Sequence, residues 1–222
     1  DFSGTPKVLS NRIESLKEEL IKNRVAYASH RVPASNFPMI HALEQAGFIL
    51  VDQLISLAID VSTIKPKVAT QTREAKKGDL AELKKLTAGL YSFSRIDNDP
   101  LISKRRANDF YLKWVENSVT GSAADSVLVW VPPRRGSGPE GKKGEILGYV
   151  TLQKKESEGQ IPLIGVSRKA RGKGIARSLL NAAFAKFKNW GVRVVNIDTQ
   201  MGNIPALRAY QDFAQRVTRE LD

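Results

Sequence analysis

No cysteine occurs anywhere in the 222 residues. Disulfide frameworks, thiol nucleophiles and cysteine zinc sites are therefore excluded. Histidine is nearly as scarce, with His30 and His41 the only two. That is too few for a multi-histidine centre, so no metal is expected and both are expected to be structural or exposed. Long apolar runs are missing as well. The longest, near Phe48 to Ile59, is broken by Asp52 and Gln53 and is too short to span a bilayer. No secretory signal is visible, and a cytoplasmic protein with no membrane partner is expected. The chain opens on Asp1 and not on Met, which leaves room for a preceding segment. Acid is the last deficit: 23 Asp and Glu stand against 35 Lys and Arg, a net charge of +12. Such a field draws anionic partners, whether nucleic acid, an acidic membrane face or a small phosphorylated ligand. Composition alone does not choose among them.

What is present is an ordinary globular balance, 41% hydrophobic and 26% charged, without repeats or low-complexity tracts. The length allows one large domain or two small ones. Residues 1–63 read as a small α/β lobe. Its first helix is capped by Ser10 and runs to about Asn23, with Ile13, Leu16, Leu20 and Ile21 on one face. A short strand follows at Val25–His30. A second helix is capped by Ser35, carries Met39, Ile40, Leu43 and Ala46 inward and stops at Gly47. Phe48–Ile59 then alternates as a strand. Val61–Lys67, with Pro66, is the expected boundary.

Residues 67–222 read as the second domain. Strands are expected at Val68–Thr72, Ser126–Val131, Glu145–Lys155, Ile161–Val166 and Val192–Thr199, with a last short one from Gln215. Helices are expected after Asp79 (Leu80, Leu83, Leu86, Leu90), around Phe110–Val119, at Gly174–Trp190 and at Ile204–Phe213. Ser92–Pro100 reads as a polar turn. Pro132–Gly144, rich in Pro, Gly, Arg and Lys, reads as a hairpin tip.

The sharpest local feature runs from Val166 to Arg177: a strand ends, five basic residues occur without one acid, two glycines turn the chain and a helix begins. Glycines let backbone N–H groups close around phosphate oxygens, and the positive end of the helix points at the same anion. Arg171 to Ala176 has the form Arg-x-x-Gly-x-Ala. It matches neither a dinucleotide fingerprint nor an ATP loop. Alone, the string also fits a plain glycine turn entering an amphipathic helix whose cations are merely solvated.

The order strand, basic glycine turn, helix, strand, Asn203, helix, Tyr210 resembles the GNAT superfamily of acetyl-CoA-dependent N-acetyltransferases. Separated blocks extend the likeness over nearly the whole chain: Leu43-Glu44-Gln45-Ala46-Gly47-Phe48, Ser94-Arg95, Trp114 to Gly121, Gly148-Tyr149-Val150 and Thr199-Gln200-Met201-Gly202-Asn203. Together they are similar to the bacterial TDP-fucosamine acetyltransferases, which acetylate the 4-amino group of TDP-4-amino-4,6-dideoxygalactose. The resemblance implies an α+β GNAT fold, a mixed and mostly antiparallel central sheet flanked by helices, preceded by the small lobe. It implies acetyl-CoA as co-substrate, held by the strand Ile164, Gly165 and Val166 and by the loop Arg171, Gly172, Lys173, Gly174, Ile175 and Ala176. Asn203 is implied to contact the cofactor, and Tyr210 to give a proton to the departing thiolate. Three departures stand out: Pro162 where the family has glycine, a longer and more basic 132–144 insertion, and Ala214-Gln215 in place of Gly-Phe.

The chemistry needs a neutral amine, a polarised thioester carbonyl and a protonated leaving group. A backbone N–H around Ile164–Val166 suits the second task. A thiol with a pKa near ~8.5 leaves well with a phenol as donor. Without that context Tyr210 is an aromatic packing beside Leu207 and Phe213. Ser94 and Arg95, in a turn, suit the sugar or its diphosphate, because the guanidinium fork binds two oxygens at once; a loop held by an Arg ion pair fits them too. Tyr111 and Trp114 read as core. For a base only Asp97, Asp99 and Glu116 offer themselves, by residue type alone. Two other classes stay open: acetylation of a different amine, on a protein or small metabolite, and a non-enzymatic anion or nucleic-acid binder using Arg134, Arg135, Lys142 and Lys143. The second has no motif behind it, so no nucleic-acid partner is expected. Whether the chain pairs as a homodimer is left open.

Overall fold

The structure, a computed structural model, describes residues 6–67, 70–133 and 145–219. It divides into two compact units, Asp1–Val51 and Asp52–Asp222.

The first unit is helical. Helix α1 (Pro6–Lys22) and helix α2 (Phe37–Gln45) pack through Leu9, Ile13, Met39 and Ala42. The cap of α2 is Asn36 and not Ser35: the Asn36 side chain accepts the Met39 N–H at 3.2 Å. Gly47 ends the helix at φ +87°, a conformation that suits glycine. No strand forms at Val25–His30, whose residues are all exposed. An alternating pattern needs a neighbouring strand to bury one face and satisfy its backbone, and the described residues of the first unit include none. The strand expected at 48–59 is β1 (Leu54–Asp60), which belongs to the second unit. The division falls at 51/52, and the described residues of the first unit form helices without a strand.

The second unit is built on one sheet. Strand β1 lies antiparallel to β7 (Val194–Gln200) along its whole length, from Leu54 opposite Gln200 to Asp60 opposite Val194. The order continues β7, β5 (Glu158–Gln160), β4 (Gly148–Lys155), β3 (Ser126–Trp130), β2 (Thr72–Glu74), and β6 (Ile164–Val166) pairs with β4 off this path. Only β5 and β7 run parallel; the other pairs are antiparallel. β2 starts later than the expected 68, and 68–69 lie outside the described residues. Helix α6 (Ile175–Asn189) covers one face, burying Leu179, Leu180, Ala183, Phe184 and Phe187 completely. Helices α3 (Leu80–Thr87) and α5 (Lys104–Val119) cover the other through Leu83, Ala107, Tyr111 and Val115. The segment between them, expected as turn, includes the short helix α4 (Arg95–Asn98). A buried ion pair, Arg73 on both carboxylate oxygens of Asp79 at 2.7 and 3.2 Å, ties β2 to the start of α3. Asp79 therefore serves as an anchor and makes no side-chain cap.

Helix α7 (Ile204–Arg219) closes the chain. The short strand expected from Gln215 does not form. Between Tyr210 and Arg219 there is neither Gly nor Pro, so nothing stops the helix. The hairpin cations Arg134, Arg135, Lys142 and Lys143 lie outside the described residues.

Candidate active site

β5 and β6 are two pieces of one run, separated by a bulge. Gln153 faces Gln160 across β4 and β5, whereas Val150 faces Ile164 across β4 and β6, so the register advances by one residue between them. Pro162 sits in the extra stretch, where the missing N–H costs no ladder bond. The buried Thr151 fills the break: its hydroxyl accepts the Leu163 N–H at 3.0 Å. The departure at Pro162 is thus compatible with the strand.

The bulge opens the sheet. β5 pairs with β7 as far as Gln160 opposite Asn196; beyond that point β6 keeps only β4 as neighbour. Thr151 N–H bonds the Leu163 carbonyl and Ser167 N–H bonds the Leu147 carbonyl. In an antiparallel pair such bonds alternate, so Gly165 shares its bonds with Tyr149. The N–H and C=O groups of Ile164 and Val166 then point the other way, into the gap where β7 has parted from the ladder. Unpaired backbone groups on a strand edge are ready partners for an extended ligand.

β6 leads straight into the glycine turn. Residues 168–170 make one tight helical turn, and Gly172 and Gly174 both lie at φ +75°. A Cβ built on either would meet nothing within 4 Å. These glycines are required by backbone conformation and not by crowding. Residues 171–174 are all exposed. Gly174 caps α6 without any side-chain bond to its first N–H groups, so those donors stay available at the positive end of a 15-residue helix. Arg171 and Lys173 flank them. Arg168 is committed elsewhere, donating to the Gly89 carbonyl at 2.8 Å.

Because β5, β6 and β7 run in one direction, the turn after β6 and the turn after β7 leave the sheet at the same end. The second carries Asn203, which caps α7 by accepting the Ala206 N–H at 3.4 Å. Tyr210 follows two helical turns later on the same side of α7. Its ring is buried, and burial alone pushes its phenol above its ordinary value near 10. The hydroxyl makes no hydrogen bond among the described residues, and it is not among the fully enclosed unpaired polar atoms.

The opposite face of the sheet carries residues that the motif gave no hint of. A Cβ at Gly165 would collide with Leu90 Cδ2 and lie 3.3 Å from the Tyr91 hydroxyl, so Tyr91 stands over β6. Tyr91 and Tyr149 share a hydrogen bond of 2.8 Å. Tyr149 lies 3.0 Å from the Thr87 hydroxyl, which donates to the Leu83 carbonyl at 2.7 Å. Burial pushes the Tyr149 phenol up to about 12, and burial likewise raises Tyr91 well above its ordinary value, with Tyr149 and Tyr210 adding to it. Tyr91 stacks on Tyr111 at 4.6 Å, and Tyr111 on Trp114 at 6.0 Å. No pattern marks Tyr91 in the sequence; it falls between the helix stripe ending at Leu90 and the turn Ser92–Pro100.

The other sequence candidates separate. Ser94 is buried, and its hydroxyl accepts the Asp97 N–H at 3.1 Å, which holds the turn. Arg95 is half-exposed and near Tyr111, whose phenol burial raises while the Ser94 hydroxyl and the Arg95 guanidinium pull it down. Of the carboxylates, Asp97 pairs with Lys104 at 2.6 Å, buried Asp99 accepts the Leu101 N–H at 2.9 Å, and Glu116 is held below its usual range by hydrogen bonds from Lys113 and Lys84. All three are engaged in local structure.

Residues 104–214 match the model of the acetyltransferase (GNAT) family. A dTDP-fucosamine acetyltransferase of Escherichia coli O6:H1 is 28% identical over 181 residues, 81% of this chain and 72% of that protein. The spore coat polysaccharide biosynthesis protein SpsD of Bacillus subtilis is 26% identical over 183 residues, 82% of this chain and 60% of that one. Among solved structures, a GCN5-related N-acetyltransferase from Sphaerobacter thermophilus superposes with a TM-score of 0.59 at 21% identity, over 88% of this chain and 60% of that one. A functionally unknown conserved protein from Staphylococcus epidermidis reaches 0.62 at 13% identity, over 95% of this chain and 77% of that one. At these identities the structures show the fold.

Proposed function

The chain belongs to the acetyltransferase (GNAT) family, and on that premise we propose that it transfers the acetyl group of acetyl-CoA to the amine of a TDP-linked 4-amino-4,6-dideoxyhexose. The observation that carries the cofactor half is the continuity of unpaired donors: the N–H groups of Ile164 and Val166 lead directly to the open N–H groups around Gly172 and Gly174. An extended arm ending in a diphosphate needs that sequence of donors in that order. Arg171, Gly172, Lys173, Gly174, Ile175 and Ala176 hold the diphosphate, while Ile164, Gly165 and Val166 hold the arm. The sugar half rests on the relative named for that substrate and on the net charge of +12, which favours a diphosphate-bearing acceptor over a cationic one.

Acetyl-CoA supplies a thioester, at whose carbonyl carbon the C–N bond forms as the C–S bond breaks. An N–H of Ile164 or Val166 takes up the charge that grows on the carbonyl oxygen. Tyr210, kept protonated by its burial, donates to the sulfur as the bond to carbon lengthens. The amine gives up one proton to solvent and solvent returns one to Tyr210, so a free thiol and an amide are the balanced products. Asn203 holds the start of α7 and with it the line from cofactor to Tyr210. Arg95, which has no ion pair among the described residues, is the side chain we assign to the nucleotide diphosphate of the acceptor.

The test is release of free CoA thiol over a panel of TDP- and UDP-linked amino sugars, with an N-terminal peptide and a polyamine as other amines. Turnover confined to a TDP-4-amino sugar is the expected result. Turnover with peptide alone would reassign the acceptor, and a melting point that rises with duplex DNA but not with CoA would overturn the enzyme reading.

A further inference from the structure

We propose that Thr151 is a positioning residue for acetyl transfer: it holds Leu163 at both polar ends and thereby aims the Ile164 N–H at the thioester carbonyl. This rests on the acetyl-transfer reading above and deepens it by naming what fixes the donor. In a regular antiparallel ladder two facing, hydrogen-bonded residues exchange two backbone bonds. Thr151 and Leu163 share only one of these: the Thr151 N–H donates to the Leu163 carbonyl at 2.8 Å. The return bond goes to the side chain and not to the backbone. The Leu163 N–H donates to the Thr151 hydroxyl oxygen at 3.0 Å, and that hydroxyl donates to the Leu163 carbonyl at 3.4 Å. Pro162, in the extra stretch, has no N–H to offer. Among the described residues every hydrogen bond that Leu163 makes therefore ends on Thr151.

The consequence lies one peptide further on. The C=O of Leu163 and the N–H of Ile164 belong to one planar trans unit, in which the two groups point opposite ways. Fixing the Leu163 carbonyl toward β4 fixes the Ile164 N–H away from β4, into the gap that β7 has left. The other side of the bulge is tied as well: the Ile161 N–H donates to the Asn196 carbonyl of β7 at 3.1 Å. Pro162 lies between these anchors, and its ring holds φ. A peptide plane held by one hydrogen bond can rock about it; a second bond on the same residue removes that freedom. Thr151 is fully buried and Leu163 nearly so, so water does not compete for either bond. A donor held in this way has no need to reorient as charge grows on the carbonyl oxygen. The Thr151 hydroxyl thus works through Leu163 and not on the reacting atoms.

The experiment compares Thr151→Val, Thr151→Ala and Thr151→Ser with the wild type, reading calorimetric Kd values for acetyl-CoA and for CoA, the melting point and kcat. Acetyl-CoA carries the carbonyl that the Ile164 N–H meets and CoA does not, so the ratio of the two Kd values separates the acetyl end from the diphosphate end. Thr151→Val keeps the shape and removes the bonding oxygen. Acetyl-CoA should bind about fivefold more weakly, the size of one hydrogen bond, with CoA within about twofold, and kcat should fall about tenfold. Thr151→Ala leaves room for a water on the Leu163 N–H and so protects the fold. It should show the same selective loss, because that water is not tied to β4. Thr151→Ser keeps the oxygen and should return the Kd ratio and kcat to within about twofold of the wild type. A merely structural threonine would lower the melting point and weaken both ligands in the same proportion. That proportional loss, an unchanged ratio in Thr151→Val or Thr151→Ala, or no rescue in Thr151→Ser would each overturn the assignment. Wild-type protein that binds neither acetyl-CoA nor CoA would instead refute the acetyl-transfer reading, and this inference with it.

Discussion

The glycine turn at 171–174 and the hydroxyl chain from Thr87 to Tyr91 flank the same short strand, and they are made in opposite ways. The turn is exposed, contiguous in sequence and uses backbone donors. Its side chains crowd nothing, and its two glycines are needed for a positive φ. The hydroxyl chain is enclosed, spread from residue 83 to residue 149 and joins side chains that end on one helix carbonyl. A diphosphate is large, charged and solvated, so an open set of amides suffices. On the proposed reading, the turn meets a charged ligand, and the enclosed hydroxyls do not.

Substitutions at the two ends should therefore fail in different kinetic terms. The largest effect is expected at the junction. Tyr210→Phe should lower kcat by about a hundredfold or more, with CoA affinity near that of the wild type; full turnover in that variant would remove the phenol from the mechanism. Next comes the turn itself. Gly174→Val forces a β-branched residue to φ +75°, at a cost of about 1–2 kcal/mol, and sets a side chain where the donors converge. The Kd for CoA, measured calorimetrically, should rise tenfold or more while the fold persists. If the loss appeared in the amine KM instead, the division between the two ends would be misplaced. Arg95→Ala should raise KM for the nucleotide sugar about fivefold, the order of one partly exposed charged contact, and leave acetyl-CoA untouched. The smallest effect is in pH. Burial raises Tyr210 above its ordinary 10, so its proton is retained further into alkali. The kcat profile should show no downward limb from this group up to about pH 10, and a fall near 9 that Tyr210→Phe abolishes would contradict its burial.

How much of this was legible without coordinates follows the same division. Arg171 to Ala176, Asn203 and Tyr210 stand in one stretch of the chain whose order of strand, turn and helix is local, and all of them lie where that order implies. Glu145–Lys155 and Ser126–Val131 were readable as neighbours because an antiparallel pair needs only alternation and a connection. Leu54–Asp60 was readable as a strand but not as a member of this sheet, since its partner is β7, some 140 residues on, and no periodicity records a partner. Ser in a turn can face either way, and only the fold shows Ser94 buried with its hydroxyl on the Asp97 N–H. Pro162 stands in the sequence only as a departure from glycine, and the register alone shows the bulge that accommodates it.

What the sequence by itself determined is whatever depends on neighbours along the chain: helix faces, glycine positions that demand a positive φ, the absence of thiols and the excess of cations. Only the tertiary structure decided where β6 parts from β7, which unit β1 joins and which three hydroxyls meet. The physical reason is that hydrogen-bond direction and strand partnership are properties of pairs brought together by folding. A residue carries its propensities with it, but it acquires a partner only in space.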